Sequence, residues 1–243
     1  MSATRKLRLV LPLILAIMAT QVEAAPEPGQ RPQPAVAAEG YRYQLFVPRS
    51  AAHSPDRTWP LMIFLHGSGE RGADIDRVRV HGPPKIADRN PDFPFILISP
   101  LLPAEQDWDI AKLDAILDEA LATLPVDRSR VYLTGLSRGG HASWAWAAAE
   151  PGRFAAVAPV AGRGDPATAC ALKDKPVWAF HGDRDDVVIP EGSFAMVRAI
   201  RACGSSPRLT IYPDLGHNAW DPAYDDPALY LWLLSQRLEA PGK

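Results

Sequence analysis

The chain has 243 residues, 47% of them hydrophobic and 22% charged, and its 26 Lys and Arg against 28 Asp and Glu give a net charge of −2. No long basic block or basic helix face stands out, which argues against a nucleic-acid partner. The length suits one α/β domain with a sizeable core and leaves no room for a second catalytic module or a propeller.

The N-terminus carries a targeting pattern. Arg5, Lys6 and Arg8 form a basic n-region, and Leu9 to Ala19 form an apolar h-region. Val22-Glu23-Ala24 then offers small residues where a signal peptidase reads. Residues 1–24 read as a secretory signal peptide cleaved after Ala24, because Pro26 disfavours a cut after Ala25. The apolar stretch is shorter than the ~20 residues of a full span. The expectation is a periplasmic or secreted protein with no stable membrane anchor after cleavage. Residues 25–38, rich in Pro and Ala and without a period, read as a flexible leader. The catalytic domain is placed over 39–243.

Tyr41 to Val47 alternates and reads as an early, partly exposed strand. Leu61-Met62-Ile63-Phe64-Leu65 is a continuous apolar run, as expected of a strand buried on both faces. It ends in His66-Gly67-Ser68-Gly69-Glu70-Arg71-Gly72, a loop able to aim the Ser68 N–H at a developing oxyanion. Glu70 and Arg71 stand beside that loop as candidates for substrate contact or for loop-fixing ion pairs. The stretch from Asp74 to Arg89 is long, bears prolines and could cap a site. Phe95 to Ile98 reads as another buried strand. Trp108 follows it as a candidate pocket residue. Leu113, Ile116, Leu117, Ala120, Leu121 and Leu124 fall at helical spacing.

Tyr132-Leu133-Thr134-Gly135-Leu136-Ser137-Arg138-Gly139-Gly140 carries the most information. A strand runs into Gly-x-Ser-x-Gly, and a helix-forming run from His141 to Ala149 follows. That is the nucleophile elbow, which lifts a serine hydroxyl clear of the sheet. Gly135 and Gly139 fit a turn that forces backbones together. The Arg138 N–H is the second oxyanion donor that such an elbow supplies. Trp144 and Trp146 on the helix read as core. Ala155 to Val160 gives the next strand.

A serine needs a base and an acid, which follow an elbow in that chain in the order acid, then histidine. Val177 to Phe180 reads as a buried strand ending in His181-Gly182-Asp183-Arg184-Asp185-Asp186. Three carboxylates crowd that turn. Asp185 is the first choice for the acid and Asp186 the second, while Asp183 suits closure of the turn through an Asx-type hydrogen bond. A helix over Glu191 to Ala202 follows. Leu209 to Tyr212 is the next strand, and Asp214-Leu215-Gly216-His217 extends from its end. His217 is the best-placed base of the six histidines. His66 and His181 precede glycines and shape loops, and His53, His81 and His141 have no paired spacing that suggests a metal. Trp220, three residues after His217, is a pocket candidate. Tyr224 to Leu238 reads as one closing amphipathic helix.

The two cysteines are expected to pair. Cys170 precedes the strand near Val177, and Cys203 ends the helix that follows it. A helix after a strand runs back antiparallel, so both cysteines reach one edge of the sheet. A Cys170–Cys203 disulfide also suits an oxidising compartment.

FLHGSGERG (Phe64 to Gly72), YLTGLSRGG (Tyr132 to Gly140), AFHGDRDDVV (Ala179 to Val188) and YPDLGHNAWDPAY (Tyr212 to Tyr224) occur in family order across most of 41–238. On them the chain resembles an α/β-hydrolase of the single-domain esterase and predicted-peptidase type, close to phospholipase/carboxylesterase-like and dienelactone-hydrolase-like enzymes. The resemblance implies the α/β-hydrolase fold, a mainly parallel central sheet with helices on both faces. It implies a Ser137–Asp185–His217 triad with Ser68 and Arg138 backbone N–H groups as the oxyanion hole. Two departures stand out: Asp186 where many relatives have proline, and Arg138 where many have methionine or glutamine.

The sequence therefore reads as an exported serine hydrolase of small, aryl-linked or polysaccharide-linked carboxylic esters, needing no metal or organic cofactor. A serine peptidase has the same chemistry and is the alternative. A dienelactone-type enzyme would use cysteine as nucleophile, against which Ser137 counts. A non-catalytic binding protein on the same scaffold is the reading from another class.

Overall fold

A computed structural model describes residues 27–54 and 56–238, so the signal-peptide reading of 1–24 lies outside the described residues. Eight strands alternate with helices along the chain: β1 (Gly29–Gln33), β2 (Tyr43–Val47), β3 (Trp59–Leu65), β4 (Ile96–Pro100), β5 (Val126–Leu136), β6 (Ala156–Val160), β7 (Trp178–Gly182) and β8 (Arg208–Tyr212). The helices are α1 (Arg49–Ala52), α2 (Gly82–Ala87), α3 (Ile110–Thr123), α4 (Arg138–Ala149), α5 (Glu191–Ala202), α6 (Trp220–Asp225) and α7 (Pro227–Ser235). The strands form one sheet in the order β1-β2-β4-β3-β5-β6-β7-β8. β2 pairs antiparallel with β1 and β4, and every other pairing is parallel. This is the α/β-hydrolase architecture.

Two cores follow from the period-2 alternation of strand side chains. On β3, Leu61, Ile63 and Leu65 face one side, where Leu113, Ile116 and Leu117 of α3, Trp144 of α4 and Met196 and Ile200 of α5 cover them. Met62 and Phe64 face the other, under Ala87 of α2, Tyr224 of α6 and Leu229 and Leu233 of α7. With both faces covered, strands lose the polar positions of a half-exposed sheet and read as apolar runs. Local chemistry sets the helix ends: Asp109 caps α3 by accepting from the N–H of Ala111 at 2.9 Å.

Three expectations change at the periphery. Residues 25–38 read as a flexible leader, yet Gly29–Gln33 forms β1, in register from Gly29 opposite Val47 to Gln33 opposite Tyr43. Its stability comes from ladder bonds and from Gln30, whose side-chain amide donates to the Pro84 carbonyl at 2.8 Å and to Asp88 at 2.6 Å. Neither leaves a hydropathy pattern, and Pro32 is tolerated because β1 is an edge strand. Because β1 covers the edge of β2, Tyr43–Val47 is buried throughout rather than partly exposed. The closing helix is two helices, α6 and α7. Pro227 pushes Asp226 out of the helical region (φ −80°, ψ 111°), and Asp226 then caps α7 by accepting from Ala228 at 2.8 Å.

The Cys170–Cys203 disulfide is formed, with Cα atoms 5.4 Å apart. Among the described residues no helix is long and apolar enough to cross a membrane.

Candidate active site

β5 delivers Ser137 at the C-terminal edge of the sheet, and α4 leaves from it at once. Ser137 holds φ 52°, ψ −115°, a conformation that costs a non-glycine residue energy. The turn is that tight because α4 packs against β3. A Cβ on Gly139 would lie 1.9 Å from the Leu65 carbonyl oxygen, and one on Gly135 would lie 2.5 Å from that of Gly139. Both positions require glycine on steric grounds.

The loops after β7 and β8 bring the other two residues to the serine. Ser137 Oγ lies 2.9 Å from His217 Nε2, and His217 Nδ1 lies 2.7 Å from Asp185 Oδ2. The carboxylate accepts, so Nδ1 carries the imidazole proton. Nε2 is then free to accept from the serine hydroxyl. Asp185 Oδ1 accepts from the N–H groups of Val187 at 3.0 Å and Val188 at 2.9 Å. His181 Nε2 adds a contact to Oδ2 at 3.1 Å. Burial pushes the Asp185 pKa up, but the hydrogen bonds from His217, Val188 and Val187 outweigh it and hold the carboxyl below its ordinary value.

Asp185 is thus the carboxylate against His217, while Asp183 and Asp186 are exposed on the same turn. The Asx-type closure expected of Asp183 is made by Asp185 instead, through its bonds to Val187 and Val188. One side chain both closes the turn and holds the histidine.

Ser68 begins a 3₁₀ turn over Ser68–Glu70, and Arg138 begins α4. The first N–H groups of a helix have no intrahelical acceptor, so both backbones present free donors. Arg138 Nε donates to Ser68 Oγ at 2.8 Å, and its guanidinium pairs with Asp107. The arginine side chain therefore ties the elbow to the glycine-rich loop. Glu70 is buried and accepts from the Gly67 N–H at 2.9 Å. Its other oxygen lies 3.7 Å from His81 Nε2. Arg71 donates to the carbonyls of Ser68 at 3.3 Å and Gln106 at 3.5 Å. Both residues fix the loop, Glu70 from inside and Arg71 from the rim.

The two tryptophans part company. Trp220 stands edge-on to the His217 ring at 5.1 Å, beside the reacting groups. Trp108 packs on His66 at 5.1 Å and Tyr41 at 5.3 Å, so it supports the loop from below. His66 is a loop histidine, as its sequence position suggests. Its Nδ1 donates to the Gly67 carbonyl and its Nε2 accepts from Leu102, and burial lowers its pKa to about 4.

Sequence reasoning missed His81 and His141 as neighbours of the site. His81 lies 5.7 Å from the Trp220 ring on the segment between Asp74 and Arg89, which folds into a 3₁₀ turn (Ile75–Arg79) and α2. His141 accepts from the Arg163 N–H at 2.8 Å, and burial, with Arg163 and Arg138 nearby, lowers its pKa to about 4. It lines a hollow of about 610 Å³ with Ala145, Ala148, Arg163 and Thr168, one helical turn beyond Ser137. His141 stands four residues after Ser137, and its N–H donates to the Ser137 carbonyl at 2.9 Å in the first turn of α4, a closeness the sequence spacing offered. For His81 no sequence signal exists. Among the described residues no group of three or more His, Cys, Asp or Glu side chains is arranged to hold a metal.

The model of the dienelactone hydrolase family matches residues 102–226, a span that includes the elbow and the Asp185 and His217 loops. Among solved structures, a thermostable esterase is 28% identical with a TM-score of 0.75, over 86% of this chain and 63% of that one. The chain thus spans less than two thirds of that esterase's length. A ferulic acid esterase (18% identity, TM-score 0.62, 79% of this chain and 90% of that one) shares the fold. So does an acetyl xylan esterase from Aspergillus awamori (13% identity, TM-score 0.65, 84% of this chain and 99% of that one). No curated protein matches the sequence.

Proposed function

Because the chain belongs to the dienelactone hydrolase family, we propose that it is an exported serine hydrolase of carboxylic esters. The observation that carries this reading is the hydrogen-bonded series Asp185–His217–Ser137, ending on a serine held at a strained elbow. Ser137 Oγ attacks the ester carbonyl as His217 Nε2 takes its proton. Asp185 keeps the imidazole in the Nδ1–H tautomer and stabilises the imidazolium. The N–H groups of Ser68 and Arg138 receive the oxyanion. Collapse expels the alcohol, protonated by His217, and leaves an acyl-serine. Water, activated by the same imidazole, then releases the acid. On sequence grounds a dienelactone-type enzyme is expected to use cysteine as nucleophile, so that Ser137 counts against that family; the chain nevertheless belongs to the family with serine at the elbow, and Ser137 is the nucleophile proposed.

The substrate proposed is a small or aryl-linked acyl ester, with acetyl or feruloyl groups on a polysaccharide as the concrete option. The fold shared with ferulic acid and acetyl xylan esterases supports that class. Export rests on the N-terminal pattern and agrees with the Cys170–Cys203 disulfide. N-terminal sequencing of the exported protein is expected to begin at Ala25; a chain retaining residues 1–24 overturns that point.

The test is the initial rate on p-nitrophenyl acetate for the mature protein and Ser137→Ala. A fall of roughly 10⁶-fold in kcat is expected. Equal rates in the two proteins refute the serine mechanism. Faster turnover of short peptide p-nitroanilides than of matched esters shifts the reading to a peptidase.

A further inference from the structure

We infer that His181 is a positioning residue of the reaction, a second hydrogen-bond donor that fixes Asp185 Oδ2 in line with His217. The inference rests on the serine-hydrolase reading above. His181 ends β7 on the face where Ala179 packs beneath α5, and Asp185 follows four residues later on the loop. The side chains of both are 0% exposed.

The hydrogen-bond partners define what His181 does. Its Nε2 lies 2.7 Å from the Val188 carbonyl, which only accepts, so Nε2 bears the proton. The same N–H is shared with Asp185 Oδ2 at 3.1 Å. Nδ1 is then the acceptor, 2.8 Å from Ser193 Oγ, whose single hydroxyl proton it shares with the Gly162 carbonyl. Ser193 is itself buried on α5, 3.0 Å from the Gly162 carbonyl. Burial disfavours the imidazolium and keeps this ring neutral. Among the described residues, the titratable groups that act on it are Asp185, in contact, and His217 beyond.

The carboxylate of Asp185 is therefore held from four sides. Val187 and Val188 take Oδ1, and His217 and His181 take Oδ2. Without His181, Oδ2 keeps only its bond to His217, the ring whose angle the carboxylate has to set. The second donor on Oδ2 fixes that oxygen independently of His217, and α5 anchors the donor through Ser193. The helix that follows the acid loop, α5, thus sets the angle at which the acid meets its histidine. His181 also draws charge from Oδ2. A carboxylate with fewer donors is more basic and holds an imidazolium more strongly. Loss of His181 is thus expected to retain the proton on His217 to higher pH.

The experiment compares wild type, His181→Leu, His181→Gln and Ser137→Ala on p-nitrophenyl acetate. It measures kcat, KM and the acid limb of the pH profile, with thermal melting to show folding. Leucine fills the space and donates nothing. It is expected to lower kcat about 10- to 100-fold, the range of a lost hydrogen bond to a charged group, with KM within about twofold. The acid limb moves to higher pH. Glutamine places an amide N–H where Nε2 stood and recovers most of the loss. Unchanged kcat and acid limb in a folded His181→Leu overturn the inference, as does an equal loss in Leu and Gln without a pH shift, the mark of a purely structural role. If the leucine variant does not fold, His181→Asn, one methylene too short to reach Oδ2, takes its place. Equal rates for Asn and Gln overturn the inference, and a Gln advantage supports it. Ser137→Ala separates the two hypotheses. Activity that survives it refutes the serine mechanism, whereas its loss beside an unaffected His181→Leu refutes only the role of His181.

Discussion

Asp185 and Asp186 are adjacent and chemically identical, and their surroundings alone separate them. Asp185 is buried with its oxygens taken by His217, Val187 and Val188, whereas Asp186 is exposed. Asp185→Asn is expected to lower kcat about 10⁴-fold, because an amide can donate to His217 and reverse its tautomer. Asp186→Asn is expected to stay within about twofold. Equal losses in the two variants, read on p-nitrophenyl acetate, disprove the assignment. Arg138 belongs to the same scale. Its backbone N–H needs only the elbow, but its side chain bonds Ser68 Oγ and Asp107. Arg138→Met keeps the first and loses the second, so KM is expected to respond more than kcat.

At the scale of elements, the site depends on how closely α4 and β3 approach. The 1.9 Å between a Cβ on Gly139 and the Leu65 carbonyl oxygen leaves no room for a methyl group. Gly139→Ala is expected to cost more than about 3 kcal/mol of stability and abolish activity; a stable, active variant in denaturant titrations contradicts this packing. The disulfide acts at the other edge. Cys203 caps the far end of α5, which runs back from the catalytic edge to the start of β7. Cys170 and Cys203 are 33 residues apart, and closing such a loop stabilises by about 3–4 kcal/mol. The double serine variant is expected to lose that much stability and keep its ester-hydrolysis rate at ambient temperature. A large loss of kcat in the folded variant counts against this separation of roles.

For the whole molecule, buried histidines make stability depend on pH. His66 and His141 both have pKa values lowered to about 4 by burial, and His181 is lowered too. The unfolded chain takes up their protons near the ordinary value of ~6.5. Stability from these groups is therefore complete above that pH and is lost as pH falls from ~6.5 towards 4. His66 alone accounts for about 3 kcal/mol, and the half-buried His141 for less. The depressed Asp185 pKa adds a further loss only below its unfolded value of ~3.9. Denaturant midpoints are expected to be level above pH 7 and to drop between pH 6 and 4. A flat profile over that interval rules this linkage out.

Much of the fold was legible because its signals are local. Apolar runs at Leu61 to Leu65 and Phe95 to Ile98 mark strands covered on both faces. The glycine spacing around Ser137 marks the elbow. The order serine, acid, histidine follows from which strand ends carry those residues. Apolar alternation says nothing about an edge strand such as β1, which is held by backbone pairing and by Gln30 reaching α2. The break between α6 and α7 was legible in Pro227 and overridden by a continuous apolar pattern. By itself, the sequence determined the fold class, the elbow and the candidates for base and acid, because each depends on neighbours along the chain. Only the tertiary structure decided which carboxylate meets His217, that His181 and Ser193 stand behind it, and that His81 and His141 border the site. His217 to Asp185 and His81 to Trp220 join segments far apart in sequence, while His181 meets Asp185 only through the turn closed by Val187 and Val188, and such contacts leave no pattern in either segment.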